Sequence, residues 1–114
     1  MRENIILTKS INFSVEIKRY TDSLISRRET AIGNQLQKSG MAIGANISEA
    51  QHAESRGDFI HKMKVAAKEA NETLYWLSIC DKMNNFGLPV SLLNELNQMI
   101  AIISKIIISA KKKL

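Results

Sequence analysis

Two histidines and several carboxylates have spacings that could bind a metal ion. Glu49 precedes His52 in a Glu-x-x-His pattern, and Asp58 precedes His61 at the same spacing. Glu-x-x-His supplies ligands to carboxylate-bridged metal centres in helical bundles. However, both pairs flank one predicted turn, and Glu69, a further candidate ligand, lies roughly 16 Å beyond Asp58 along a helix. Because a metal site needs ligands that converge, we predict no metal and no cofactor.

Nucleophilic side chains are present but lack catalytic partners. The single cysteine, Cys80, falls on an apolar helical stripe, where a thiol usually serves as inert packing. The serines of the second helical pattern have no evident arrangement with a histidine and an acid, as a catalytic triad would need. No Gly-rich phosphate loop occurs between a strand and a helix. We therefore predict a non-enzymatic protein with no catalytic residues.

Basic residues could bind an anionic partner such as RNA or DNA. The chain has 16 Lys and Arg against 11 Asp and Glu, a net charge of +5, and this excess is spread along the sequence. Only 5% of the residues are aromatic, so contacts to phosphates would outweigh stacking on bases. A solvated face that serves only solubility is the alternative. The candidate nucleic-acid-binding residues are Lys18, Arg19, Arg27, Arg28, Lys111, Lys112 and Lys113.

Four helical patterns must position these groups. Apolar residues recur at helical spacing over residues 4–26, 30–55, 58–85 and 90–112, and strand-like alternation is missing. Gly57, in a tight turn with Arg56, is predicted to end the second helix, and Asp58 to open the third. Four helices joined by short turns predict an all-α, antiparallel up-down-up-down four-helix bundle. The chain, residues 1–114, is long enough for a single domain.

Each helix has one apolar stripe that is predicted to enter the core. On the second helix, Gly33, Gly40 and Gly44 lie along one flank of the stripe. Because an interior glycine costs roughly 1 kcal/mol relative to alanine, we predict that a neighbouring helix approaches closely there. The predicted core residues, helix by helix, are Ile6, Phe13, Ile17, Tyr20 and Leu24; Ile32, Leu36, Ile43, Ile47 and Ala50; Phe59, Met63, Ala66, Ala70, Leu74, Leu77 and Cys80; and Leu93, Leu96, Ile100, Ile103 and Ile107, with Leu92, Met99, Ile106 and Ala110 widening the last stripe.

The first and third helices carry a second apolar row, well round the helix from the first. A helix that is apolar on two faces must be covered twice, once by its own bundle and once by something else. The simplest cover is another copy of the chain, so we predict a homo-oligomer. The candidate oligomer-interface residues are Leu7, Ile11, Val15, Val65, Glu72, Trp76, Ile79 and Met83.

The stretch over residues 38–77 carries a specific series of short motifs. These are Ser-Gly at 39–40, Ile-Gly-Ala-Asn-Ile at 43–47, Asp-Phe-Ile at 58–60, Lys-Glu-Ala at 68–70, Glu-Thr at 72–73 and Tyr-Trp-Leu at 75–77. The series resembles the pattern of the 23S rRNA-intervening-sequence (S23) protein family, and only Met41 and Ala42 depart noticeably from it.

The resemblance implies four-helix bundles that assemble as ring-shaped homopentamers. A related member, the accessory variability determinant protein of diversity-generating retroelements, uses a basic ring to bind a reverse transcriptase and nucleic acid. We therefore expect a homo-oligomeric, pentameric scaffold that binds RNA or a nucleoprotein partner through repeated basic patches. The alternative is a protein-only interaction module that docks a reverse transcriptase or another enzyme.

No export signal is evident in the sequence. Arg2 and Glu3 are not followed by an uninterrupted apolar core and a small-residue cleavage site, and a lone cysteine suits a reducing compartment. The most apolar run, residues 99–110, has only twelve residues and is broken by Ser104 and Lys105, too few to span a bilayer. We expect a cytoplasmic protein without a membrane partner.

Overall fold

The fold is a bundle of four α-helices in the computed structural model, which describes residues 4–113. The described residues form α1 (Ile5–Ser26), α2 (Thr30–Ala50), α3 (Arg56–Met83) and α4 (Val90–Lys112), and no strand. Helices α1 and α3 each pack against both α2 and α4. Short connections between these neighbours reverse the chain three times, which confirms the predicted antiparallel, up-down-up-down arrangement. Arg2 and Glu3 lie outside the described residues.

The turn between α2 and α3 differs from the prediction. Helix α2 ends at Ala50, and α3 begins at Arg56, so Arg56 and Gly57 lie in the first turn of α3 rather than in a turn before it. Ser55 is the N-cap, because its hydroxyl accepts a hydrogen bond from the Asp58 amide at 3.0 Å. The Asp58 carboxylate in turn accepts from the Glu54 amide at 3.2 Å. These two hydrogen bonds satisfy amides at the N-terminus of α3, which therefore begins two residues before the predicted start at Asp58.

The core confirms the predicted stripe of α1 in full and that of α2 apart from Ile32, which is only half-buried. The predictions for α3 and α4 are confirmed in part, since Met63, Ala66, Ala70, Leu77 and Cys80 of α3 and Leu96 and Ile103 of α4 are buried as predicted. On α3, Ile60 and Thr73 are buried, whereas the predicted Phe59 and Leu74 are half-buried. On α4, three of the four residues predicted at the margin of the stripe, Leu92, Met99 and Ala110, are buried, while Ile106 is half-buried. Three residues predicted at its centre, Leu93, Ile100 and Ile107, are half-buried.

Glycines on α2 allow α1 to approach closely, as predicted. A Cβ atom at Gly40 would lie 2.8 Å from Cγ2 of Ile17, which is itself fully buried. A Cβ atom at Gly44 would lie 3.2 Å from the Ser10 hydroxyl. The missing side chains therefore set the distance between the first two helices, and any larger residue must push them apart.

Polar groups inside the bundle are paired. The hydroxyls of Ser39 on α2 and Thr73 on α3 are both fully buried and lie 2.9 Å apart. Thr73 is also 2.8 Å from the Glu69 carbonyl, to which its hydroxyl can donate. A buried hydroxyl without a partner is costly, so this pair favours a single register between α2 and α3.

The α3–α4 loop is fastened to the end of α1. The Tyr20 hydroxyl donates to the Phe86 carbonyl at 3.0 Å, and the Arg27 guanidinium donates to the same oxygen at 2.9 Å. Burial, with smaller contributions from the neighbouring Cys80, raises the pKa of Tyr20 above its usual value, so its hydroxyl remains a donor. Gly87 follows at a φ of +62°, a conformation that glycine adopts readily.

Helix α4 is the most apolar element of the described chain. By length and composition alone this 23-residue helix would be able to cross a bilayer, although the run considered from the sequence was shorter. Core helices of other proteins meet the same criterion, and α4 packs against α1 and α3 in this fold. The absence of a membrane partner stays a prediction.

Gly40→Ala tests the close approach of α1 and α2. Because the new methyl group would overlap Ile17, we expect a loss of about 1–3 kcal/mol in the free energy of unfolding. Gly57→Ala is the matched control, since its Cβ would meet only the Ser55 hydroxyl at 3.8 Å. That variant should gain about 0.4–1 kcal/mol. Urea unfolding followed by circular dichroism measures both, and equal effects of the two substitutions would contradict the packing described here.

Candidate functional site

The residues considered for metal binding and catalysis are either exposed or engaged in structural contacts. The Glu49 carboxylate accepts from Lys62 at 3.1 Å and raises the pKa of that lysine, while His52 and His61 are exposed. Burial raises the pKa of the Cys80 thiol, which favours the unreactive protonated form. Within residues 4–113, no three His, Cys, Asp or Glu side chains come together as metal ligands would.

The predicted nucleic-acid-binding residues occupy three separate places. Arg27 and Arg28 lie at the pole of the α3–α4 loop, where Arg27 bonds to loop carbonyls. Lys18 and Arg19 lie on the side of α1, where Lys18 is 2.7 Å from the Asp22 carboxylate. Arg19 has a looser contact of 3.9 Å to the Glu16 carboxylate. The remaining three candidates, Lys111, Lys112 and Lys113, are exposed at the end of α4.

Two further cations join the end of α4, and we call the resulting group the basic pole. Arg56 comes from the first turn of α3 and Lys105 from α4, and both line an open cleft of about 400 Å³ together with Lys113. Neither residue was among the predicted nucleic-acid-binding residues, because both lie outside the runs of adjacent charges on which that prediction rests. The antiparallel pairing of α3 with α4 was the available signal, since it brings the start of α3 to the end of α4. The basic pole comprises Arg56, Lys105, Lys111, Lys112 and Lys113.

An apolar groove runs between α1 and α2 on the outside of the bundle. Ile11 and Val15 of α1 are 55% and 44% exposed, and Met41 of α2 is 40% exposed. Gly44 and Ala45 also line this α1–α2 groove, with Lys18 and Arg19 as the charged lining residues. Met41 was not among the predicted interface residues, although its departure from the family pattern had marked the position.

A second apolar groove lies between α2 and α3. Its apolar lining includes Ile32, Trp76, Ile79 and Met83, and Met83 is 52% exposed. The Trp76 Nε1 atom is buried and has no hydrogen-bond partner among the described residues. This α2–α3 groove contains three of the predicted interface residues, and the α1–α2 groove contains two. The other three, Leu7, Val65 and Glu72, line neither groove.

Two neighbouring carboxylates lie on α3 without a close cation. Burial, followed by the Glu72 carboxylate, raises the pKa of Glu69, while Lys68 and Lys38 act more weakly in the opposite direction. No cation, the neighbouring Lys68 included, lies within 4.0 Å of either carboxylate among the described ion pairs. The surroundings of Glu69 therefore disfavour its charged form.

The comparisons with known proteins agree with the motifs of residues 38–77. The model of a family described as 23S rRNA-intervening sequence protein matches residues 2–109. The chain belongs to this family. The fold of this family member is similar to a crystal structure of a protein from Bacteroides thetaiotaomicron VPI-5482, with a TM-score of 0.84 and 36% sequence identity. The match covers 90% of this chain and 97% of that one.

The similar structure is described as a protein with unknown function from the S23 ribosomal protein family. No curated protein matches the sequence. The 23S rRNA-intervening sequence family and the four-helix bundle are thereby confirmed, whereas the predicted assembly and binding partners stay predictions.

Glu69→Gln tests the acidic pair in this family member. A carboxyl group whose pKa is raised by folding favours the folded state only below its unfolded pKa, near 4.5, and loses that contribution as the pH rises through its folded value. The neutral amide removes this loss, so Glu69→Gln should stabilise the protein at neutral pH relative to wild type. The difference should shrink at pH about 4.

Thermal unfolding at both pH values provides the measurement. Glu72→Gln is the matched control, because it removes the neighbouring charge but leaves Glu69 half-buried, and it should recover only part of the gain. A Glu69→Gln effect of equal size at both pH values would show that the carboxylate charge is not responsible.

Proposed function

We propose that this protein is a non-enzymatic, homo-oligomeric scaffold that binds RNA or a nucleoprotein partner through repeated basic patches. The observation that carries the proposal is the α1–α2 groove, where Ile11, Val15 and Met41 present a continuous apolar surface that nothing in the described chain covers. Contiguous exposed apolar surfaces of this kind mark interaction sites.

Two unlike grooves support a ring rather than a two-fold dimer. The α1–α2 groove and the α2–α3 groove are lined by different residues. When one surface of a subunit binds a different surface of the next, the contact is heterologous, and it closes into a ring if the rotation between subunits permits. Five subunits is the number that the family resemblance suggests. We propose that the α1–α2 groove of one subunit forms one side of the contact and the α2–α3 groove of the next subunit forms the other.

The basic pole supports an anionic partner. Its five cations come from two helices, and no carboxylate within the described residues lies within 4.0 Å of any of them. An oligomer repeats such a patch around its axis, so a few phosphate contacts per subunit combine into a higher affinity. The family's description refers to 23S ribosomal RNA, which makes a ribosomal RNA fragment the first probe.

A protein-only interaction module is the second candidate, and the side of α1 favours it. Lys18 and Arg19 have acidic neighbours, Asp22 and Glu16, within 4.0 Å, so their charges are partly balanced before any partner binds. On this hypothesis the grooves dock another protein, such as a reverse transcriptase or another enzyme, and the basic residues serve solubility.

Val15→Asp tests the assembly. A charge in the α1–α2 groove would have to be desolvated at the subunit contact, so we expect the variant to be monomeric where wild type is oligomeric. Light scattering at high protein concentration measures the mass. Val90→Asp is the matched control, because Val90 is 74% exposed and lines neither groove, and it should leave the assembly intact. A wild-type protein that is itself monomeric would refute the scaffold.

A double substitution, Lys111→Ala with Lys112→Ala, tests RNA binding at the basic pole. Each lost phosphate contact reduces the slope of log K against log salt concentration by about 0.7–0.9. The double variant should therefore lower that slope by about 1.4–1.8 relative to wild type. Binding of a ribosomal RNA fragment is measured by fluorescence anisotropy across a salt series.

The matched control for RNA binding removes the same charge from the side of the bundle. Lys64→Ala with Lys68→Ala alters two exposed lysines of α3 outside the basic pole, and it should change the salt slope much less. If wild type fails to bind RNA even at about 50 mM salt, where phosphate contacts are strong, the protein-only module is the remaining function.

A further inference from the structure

The cleft of the basic pole combines cations with an apolar floor. Its lining residues include Arg56, Lys105 and Lys113, and none of them is acidic. The floor is formed by Phe59 of α3 and by apolar residues of α4 that are half-buried or buried, namely Ile102, Ile106 and Ala110. The cleft thus offers positive charge and apolar surface to the same ligand.

The cations of the cleft retain their positive field. Asp58, two residues after Arg56, uses its carboxylate to accept from the Glu54 amide in the capping turn. Arg56, Lys105 and Lys113 are exposed, and none has a carboxylate within 4.0 Å among the described residues. A complementary ligand must therefore supply negative charges at the margins of its own apolar surface.

The shape of the cleft favours an elongated ligand. Along α4 its lining extends from Ile102 to Lys113, which corresponds to roughly 16 Å at the rise of an α-helix. The cleft is open and its floor is only partly buried, unlike the enclosed cavities that hold small apolar ligands. An amphipathic helix of about three turns has the required length and binds such grooves through residues on one face.

RNA fits this cleft less well than a peptide does. Nucleotides present phosphates and bases, and a floor of isoleucines provides no stacking platform beyond Phe59. Lys111 and Lys112 belong to the basic pole but do not line the cleft, so they remain available to an RNA while the cleft is occupied. A peptide site is therefore compatible with the RNA-binding function proposed above and does not depend on it.

We propose that this cleft is the docking site for an acidic amphipathic helix of a partner protein. The apolar face of the partner helix lies on Phe59, Ile102 and Ile106, and its flanking carboxylates pair with Arg56, Lys105 and Lys113. The charge complementarity selects against basic helices, while the apolar floor selects against acidic chains that lack an apolar face.

A synthetic peptide provides the probe. It has about three helical turns, with leucines spaced three and four residues apart on one face and glutamates on both flanks. A second peptide of the same composition, with the leucines scattered around the helix, tests the need for an apolar face. Isothermal titration calorimetry of the full-length protein measures both, and the ordered peptide should bind at least tenfold more tightly.

Two substitutions locate the peptide on the protein. Lys105→Glu reverses an exposed charge of the cleft, and it should weaken binding by at least tenfold. Ile106→Asn removes the centre of the floor and should have a similar effect, with circular dichroism as the check on folding. Lys64→Glu is the matched control, since it reverses an exposed charge outside the cleft, and it should change the affinity by less than about twofold.

Three results would overturn the proposal. The first is failure of the ordered peptide to bind, or equal binding of the scattered peptide. The second is a single-stranded RNA, equal in charge to the ordered peptide, that binds more tightly than the peptide and loses its binding to the Lys105→Glu variant. The cleft would then be a nucleic-acid site. The third is a fall in the mass of the peptide-free protein caused by Ile106→Asn, which would assign the cleft to a contact between copies. The Lys111→Ala/Lys112→Ala and Val15→Asp experiments alter residues outside the cleft, so the proposed function can stand when the peptide site fails.

Discussion

The close approach of α1 and α2 is the constraint on which the rest of the structure depends. Gly40 admits Ile17, and Gly44 admits Ser10, at distances that a methyl group would occupy. Because the two helices meet through small residues, the outer side of their seam has a floor of Gly44 and Ala45 rather than a covering side chain. Gly44 therefore both admits α1 on the inside of the seam and contributes to the apolar groove on the outside of the bundle.

Charge plays different roles at the two poles of the bundle. At one pole the Arg27 guanidinium is held by carbonyls of the α3–α4 loop, so the cation stabilises the fold. At the other pole the cations are contributed by the start of α3 and the end of α4 and have no acidic partner among the described residues. The net charge of +5 does not reveal this division, because it depends on which helix ends meet. Fold likewise does not determine function, and the proposed partners are argued from these sites.

The sequence predicted the features that follow from local periodicity and missed those that follow from pairing. The four helices, the stripe of α1 and the glycine contact were predicted because each follows from the spacing of residues along a single helix. The α2–α3 boundary was misplaced because Gly57 suggested a helix end, whereas the hydroxyl of Ser55 accepts the capping hydrogen bond. Thr73 was left out of the predicted core face of α3 because its side chain is polar, whereas the structure buries it against Ser39. Lys105 could be assigned to a basic cleft only once α4 was placed beside Arg56.

The carbonyl of Phe86, which accepts from both Tyr20 and Arg27, joins parts of the chain that are synthesised at different times. Tyr20 and Arg27 are made early during synthesis, but the carbonyl to which both donate belongs to a residue that is made after the whole of α3. Until the ribosome has released Phe86, the α1–α2 hairpin lacks the partner of a tyrosine hydroxyl that is buried in the finished protein. The nascent first half therefore lacks these two hydrogen bonds, and they form only when α3 has folded back along it.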